Sequence, residues 1–522
     1  MRTSFKTDIK ENLAVISLIS FLQIIKTAMV FALPIVTARI TKGMLTRNNI
    51  IILFATVIAA FAVEIIVANL QKRTEVGYKC CLNEKIYNQM YRISYESLIE
   101  KGMIYYLEKI NLAVANYSNY VMATIPSFVS VLGTLIVSIV LIGIFDLKIA
   151  LAIVLIFALQ TLSLRLLNNH LSKKCVNLQS VCAESFSNIL SVLNCVDYFK
   201  QLSSHQGINR LLSKDVRRIH KHNTEVNVYA RNISSIIFLM ITNLQFLLYI
   251  VCGYMMISSQ ITGSQFIYII MLINICFSAF SNFSSIEINK KDYNASREFL
   301  KNEIEDAQEE SGDVQVGSID KVLIKNIDLN LKRGDVVFLS GETGTGKSSL
   351  LKVLLGFYRI DGVKVNGSEL KKLSLASLRE KVAYVSQDNS IVSGSVYDNI
   401  FMGESAEEMD RIKNLAFLSK FVSGQDFSDE MIMANGTNLS GGDKQKLAVA
   451  RLFAGHPDVL ILDEITSSMD NATTDLVFGE ILDAFADKII IIVSHNDYIK
   501  KYANRFLDLH DSSIEEAEVH AS

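Results

Sequence analysis

Six apolar stretches, at about 13–40, 50–70, 121–144, 147–168, 233–258 and 261–287, dominate the first 290 residues. As helices, each is long enough to cross about 30 Å of hydrocarbon, which takes roughly 20 residues at about 1.5 Å apiece. In lipid a helix satisfies every backbone amide within its own segment, so runs of this kind predict an all-α bundle. The connections near 41–49, 145–147 and 259–263 are short; those at 71–120 and 169–232 are long, polar and helical in pattern.

Basic residues set the expected orientation. The second long connection carries Lys173, Lys174, Lys200, Arg210, Lys214, Arg217, Arg218, Lys221 and Arg231, whereas Ser258–Gly263 carries none. Cytoplasmic loops are enriched in Lys and Arg, so both long connections, the N-terminus and the C-terminal half are expected in the cytosol. The first apolar stretch lacks a small-residue cleavage site and is expected to stay as a membrane helix. Net charge is −2, which argues against nucleic acid as a partner. The seven cysteines lie at 80, 81, 175, 182, 195, 252 and 276 without metal-ligand spacing, and are expected to be free thiols.

Two charges interrupt the first two spans. Counted from the outer face, Lys26 and Glu64 both fall about 21–22 Å deep, so the spacing predicts that they can meet. Charges at such depth pair with each other or face a wet cavity, and both a structural pair and a cargo-cavity lining are open.

The pattern changes after residue 300. Residues 301–313 are strongly acidic and are expected to link domain 1–300 to a second domain, 314–522. There, short β runs alternate with helices, as in an α/β fold with a parallel sheet. The apolar run Val336–Ser340 leads into Gly341, Glu342, Thr343, Gly344, Thr345, Gly346, Lys347 and Ser348, followed by Ser349 and a helical stretch. A glycine loop between strand and helix cradles phosphates with backbone N–H groups, the helix N-terminus adding positive potential. Lys347 is expected on the β- and γ-phosphates and Ser348 on Mg²⁺. A second strand, Val459–Leu462, ends in Asp463 and Glu464, an acidic pair suited to holding Mg²⁺ and orienting a water. A third, Ile489–Val493, ends in Ser494 and His495, whose imidazole can reach a γ-phosphate.

Between the glycine loop and the acidic strand lies Leu439, Ser440, Gly441, Gly442, Asp443, Lys444 and Gln445. This order resembles the signature motif of ATP-binding-cassette proteins, and six spans ahead of such a domain resemble an exporter-type half-transporter. The resemblance covers the whole chain. It implies ATP and Mg²⁺ as ligands, Gln387 as a metal-sensing glutamine alongside Ser348 and Asp463, Asp470 in the D-loop, Glu464 as base and His495 as switch. It also implies a second half-transporter as partner, most simply an identical one, whose Leu439, Ser440, Gly441 and Gly442 would close on this chain's nucleotide within the bilayer-bound dimer. Coupling helices are expected near Tyr95–Lys101 and Asp197–Gly207.

Two departures stand out. No aromatic residue lies between Phe299 and Phe338 to stack on adenine, so Val316, Ile319 or Val322 is the expected substitute, or base affinity is lower. Ala434 stands where exporters usually carry Glu, a residue that helps contact the membrane loops. The cargo is open among a peptide, a hydrophobic or amphipathic small molecule and a lipid; a membrane-anchored ATPase that gates a partner is the alternative of a different class. The first cysteine, Cys80, lies beyond the second span, so no self-cleaving peptidase domain is expected at the N-terminus. The expected location is a bacterial plasma membrane.

Overall fold

The computed structural model describes the chain except residues 1–11, 42–46, 202–205, 326–328, 342–344, 388–389, 403–408, 424–425, 429–430, 510–512 and 517–522. It divides into two compact units. One comprises residues up to Ile93 and Ser97–Gln308; the other comprises Ser94–Glu96 and Glu309–Ser522.

The first unit is all α. Its helices are α1 (Leu13–Thr41), α2 (Arg47–Met90), α3 (Tyr95–Lys101, of which Tyr95 and Glu96 belong to the second unit), α4 (Met103–Asn119), α5 (Ile125–Phe145), α6 (Leu147–Leu193), α7 (Val196–Gln201), α8 (Gln206–Ile257) and α9 (Gly263–Phe299). A π-helical turn, Tyr120–Thr124, carries α4 into α5 without a break. Each of the six expected spans lies on a long helix. Five helical segments are long and apolar enough to cross a membrane, and α6 contributes the shorter apolar stretch Leu147–Ser163.

Local chemistry sets the boundaries. Asp146 breaks α5 from α6 and accepts from the backbone N–H of Lys148 (2.7 Å) and Ile149 (3.2 Å). Thr262 and Gln265 form a capping box that starts α9. Phe157 stacks on Phe280 at 4.9 Å inside a core that also holds Ile142, Ile153, Cys252 and Leu272. The outward faces remain apolar, with Phe61 68% and Ile250 72% exposed, as lipid contact requires.

The acidic segment 301–313 is not one linker. Its first part continues α9 as the π-helical run Leu300–Glu305, whose Leu300 and Ile304 are buried against Ile86, Tyr106 and Ile110. Its last part belongs to the second unit. Arg379 grips Glu309 through two guanidinium bonds of 2.6 and 2.9 Å, and the Gly312 N–H donates to the Leu373 carbonyl at 2.9 Å. A Cβ at Gly312 would lie 2.1 Å from the Lys372 carbonyl oxygen, so only glycine fits there.

The second unit is α/β. Along the chain run β1 (Lys321–Ile324), β2 (Leu329–Lys332), β3 (Val336–Ser340), α10 (Lys347–Leu354), β4 (Val363–Val365), β5 (Ser368–Glu369), α11 (Leu375–Lys381), β6 (Val382–Val385), α12 (Val396–Phe401), α13 (Met409–Lys413), β7 (Val422–Ser423), β8 (Asp426–Phe427), α14 (Gly441–Ala450), β9 (Val459–Asp463), α15 (Asn471–Ala484), β10 (Ile489–Val493), β11 (Arg505–Asp508) and β12 (Ser513–Glu516). Six strands form the central sheet in the order β12-β11-β3-β10-β9-β6, parallel except for β12, while β2-β1-β4-β5 form an antiparallel sheet.

Alternation along the central strands feeds two cores. Val336, Phe338, Leu460, Leu462, Ile490 and Ile492 fill one face; Val337, Leu339, Val459, Ile461, Ile489 and Ile491 fill the other. Both faces are covered, which is why these strands are apolar at every position. Register places Leu339 and Asp463 beside Val493, so the polar residues that follow β3, β9 and β10 gather at one sheet edge.

Candidate functional site

That edge holds the candidate ATP site. β3 ends at Ser340, and the loop returns through Gly346, whose φ of +93° turns the chain into α10 in a conformation that favours glycine. Lys347 opens α10 and its ammonium folds back onto the Gly341 carbonyl. Ser348 and Ser349 follow in the exposed first turn. Thr345 is described, whereas Glu342, Thr343 and Gly344 lie outside the described residues.

Three side chains named from the sequence converge at the end of β9. The Gln387 amide donates to Glu464 Oε2 at 3.1 Å, and His495 Nε2 lies 3.4 Å from Glu464 Oε1. Glu464 itself has φ +52°, a left-handed conformation costly for a side chain with a Cβ, and its N–H is tied to the Val493 carbonyl at 2.8 Å. Asp463, 8% exposed, ends the strand just before it. Burial pushes the Asp463 carboxyl above its usual range, against an opposing hydrogen bond from the Tyr384 hydroxyl at 3.2 Å. Ser348, Tyr384, Gln387 and Asp463 line one cavity of about 570 Å³, along with Lys352 and Tyr95. Tyr95 stacks on Phe357 at 4.6 Å.

The signature residues stand apart from that cavity. Ser440 caps α14, its hydroxyl accepting the Asp443 N–H at 3.2 Å, and Leu439 packs on the core. Gly441 and Gly442 lie tight against the turn after β9. A Cβ at Gly441 would sit 3.1 Å from the Ser468 hydroxyl, and one at Gly442 would sit 2.9 Å from the Ser468 carbonyl oxygen. None of these four residues lines the cavity of Ser348 and Asp463. Asp470 caps α15, and the Thr473 hydroxyl and N–H hold its carboxyl below the usual range.

Sequence reasoning passed over two contributors. Gln445 ties the signature helix to the acidic strand's exit: it donates to Ser467 Oγ at 2.7 Å and accepts the Ser468 N–H at 3.1 Å. Tyr384 reaches Asp463 because β6 pairs with β9, with Val385 opposite Leu462. Gln445 stood inside the quoted motif one helical turn past Gly441, and Tyr384 three residues before Gln387; both signals were present. The expected substitutes for an adenine stack do not serve. Val316, Ile319 and Val322 are all buried in the sheet's core, where no base can contact them.

In the first unit Lys26 and Glu64 do meet, as an ion pair between α1 and α2. Of the expected coupling helices, α3 and α7 are present, while 202–205 lie outside the described residues.

Residues 324–467 match the ABC transporter family. A solved bacterial Atm1-family ABC exporter with ATP bound superposes with a TM-score of 0.85, covering 97% of this chain and 95% of that one at 16% identity. The second unit thus carries an ABC transporter ATPase region, and the whole chain has the fold of a solved ABC exporter. Among sequence relatives, a Haemophilus influenzae protein named "Probable ABC transporter ATP-binding/permease protein" is 32% identical over 180 residues, 33% of this chain and 32% of the relative. The ATP-dependent lipid A-core flippase of Photobacterium profundum is 30% identical over 224 residues, 40% of this chain and 38% of that protein. These alignments thus span only about a third of each relative's length. Five helical segments of the chain's first half have the length and apolarity of membrane spans.

Proposed function

We propose that two copies of this chain form an ATP-driven exporter in a bacterial plasma membrane, with the ATPase units in the cytosol. The observation that carries this reading is the convergence of Gln387 and His495 on Glu464, beside buried Asp463 and the exposed start of α10. Glu464 accepts the proton of the attacking water. Gln387 and His495 each hold one of its carboxylate oxygens, so the base is oriented before the nucleotide reacts.

The residues present fit a magnesium ion. Tyr384 occupies Asp463 Oδ2, and no described side chain donates to Oδ1; the Ser348 hydroxyl and the Gln387 amide line the same cavity. Ser348, Asp463 and Gln387 would hold it, and bound there it neutralises phosphate charge. The Lys347 ammonium leaves the Gly341 carbonyl for the β- and γ-phosphates.

Ser440 to Gly442 lie off this cavity, and that supports a site completed by the partner's signature helix, whose N-terminus aims at phosphate. Because the hydrolysis residues all occur in one chain, a homodimer with two equal sites is the simplest assembly. The cargo class is a peptide or a hydrophobic or amphipathic small molecule; the flippase among the relatives favours lipid as the second reading.

The test is steady-state ATPase activity of the chain in nanodiscs, with cross-linking. Glu464→Gln should lower turnover at least a hundredfold and accumulate an ATP-bound dimer. Normal turnover in that variant would remove Glu464 from the base role.

A further inference from the structure

We propose that two adjoining cavities among α1, α5 and α9 bind a short zwitterionic peptide as the exported solute. This rests on the export reading above and names its cargo. The cavities measure about 290 and 420 Å³ and share Lys26, Ser130, Val131 and Asn282. Both lie in the apolar half of the chain, yet the smaller one's wall is mostly polar, and amides and hydroxyls also line one side of the larger.

α9 supplies the main wall. Asn274, Ser278, Asn282, Ser285 and Asn289 recur every three or four residues, a polar stripe on one helix face running about 22 Å. Asn274 and Asn289 are partnered across helices, by Gln245 at 2.6 Å and Thr124 at 3.1 Å. Ser278, Asn282 and Ser285 make no side-chain hydrogen bond among the described residues and are exposed. In a membrane bundle, Asn and Ser normally bond to a neighbouring helix or face water, because hydrocarbon offers them nothing.

The second observation comes from the opposite wall. Gln23 on α1 is only 7% exposed, and its Oε1 is a buried acceptor with no partner. It lines the smaller cavity; its Nε2 is weakly engaged, 3.5 Å from Ser127 Oγ. An acceptor held unpaired in that setting is destabilising until a donor reaches it.

The polar inventory names the ligand. Gln23 and Asn282 match the N–H and C=O of peptide amides, and Ser130 and Thr134 can donate or accept. Lys26 lines both cavities and pairs with Glu64, which stands outside their walls; a peptide carboxylate can take over Lys26 and its ammonium the released Glu64, adding no net charge in the membrane. Among the described residues neither cavity is lined by an aromatic ring, so a lipophilic aromatic cation finds no stacking or cation–π surface there.

The test is ATPase stimulation of the full chain in phosphatidylethanolamine–phosphatidylglycerol nanodiscs, each variant read against its own unstimulated rate. The probe is an equimolar pool of tripeptides of Gly, Ala and Ser. The pool should stimulate the parent chain at least twofold and tetraphenylphosphonium should not. Gln23→Leu and Asn282→Leu should each raise the half-maximal peptide concentration at least tenfold, while Leu155→Ala, on an outward face of α6, should leave it unchanged. A pool that fails to stimulate, or stimulates both Leu variants normally, would overturn the proposal. So would variants recovered as monomers, since the stripe would then be packing against the second copy. Loss of all Glu464-dependent turnover in the parent chain is a separate result, and it would sink the export reading itself.

Discussion

Glu464 sits at φ +52°, and its two nearest polar neighbours, Gln387 and His495, hold its carboxylate there. A left-handed backbone costs a residue with a Cβ about 1–2 kcal/mol, and Asn is the side chain that tolerates it best. Replacing Glu464 by Gln removes the charge but keeps the strain; replacing it by Asn removes both. Either change also relieves repulsion with Asp463, whose carboxyl the Glu464 charge helps to push up. The difference between the two variants therefore isolates the backbone. Asn forfeits the Gln387 contact, a partly exposed bond of about 0.5 kcal/mol, so it should be more stable than Gln by about 0.5–1.5 kcal/mol. For the unit Glu309–Ser522 that corresponds to a melting point higher by roughly 1–6 °C. Differential scanning calorimetry of both full-length variants, without nucleotide, measures it, and ATPase activity should be absent from both. An Asn variant that melts at or below the Gln variant would refute the idea that this backbone is strained to place the proposed base.

Three further outcomes are expected. With Val316, Ile319 and Val322 buried, base discrimination should be weak, and GTP should compete with ATP within about tenfold; a hundredfold poorer competition would contradict this. Asp458→Ala should destabilise the ATPase unit by about 2–3 kcal/mol in denaturant titrations, because the buried carboxylate bonds Arg333 at 3.1 Å, Lys488 at 2.9 Å and the Ile319 N–H at 3.0 Å. The Lys501 ammonium, with the Tyr502 and Tyr498 hydroxyls, pushes the Asp475 carboxyl down to about 2. A depressed carboxylate stabilises above its usual pKa near 3.8 and loses that contribution as pH falls toward 2, so Asp475→Asn should lower stability near pH 7, flatten the acid side of the stability profile in that window and converge with the parent chain toward pH 2.

The candidate ATP site was legible because its chemistry is contiguous in sequence. A phosphate loop needs its glycines, lysine and serine within eight positions, and parallel strands deliver Asp463, Glu464 and His495 to the same edge whatever lies between them. Depth along a helix is nearly as direct: two residues equally far from one face can meet, and Lys26 and Glu64 do. What stayed hidden depends on direction or distance. Composition marked 301–313 as a linker, yet Leu300 and Ile304, one turn apart, turn the first part inward while Glu309 finds Arg379. The signature glycines pointed to phosphate, but Gly442 is also pinned by a carbonyl at Ser468, 26 positions on, that no local pattern predicts. The polar stripe on α9 vanishes in any average, since its Asn and Ser residues are interleaved with Leu272, Ile273, Cys276, Phe277 and Phe280, which fill the bundle core. Hydropathy registers how much of a span is apolar and says nothing about which side carries the rest. That side is where a membrane protein can do chemistry, so the cargo question could be posed only once the helices were set against each other.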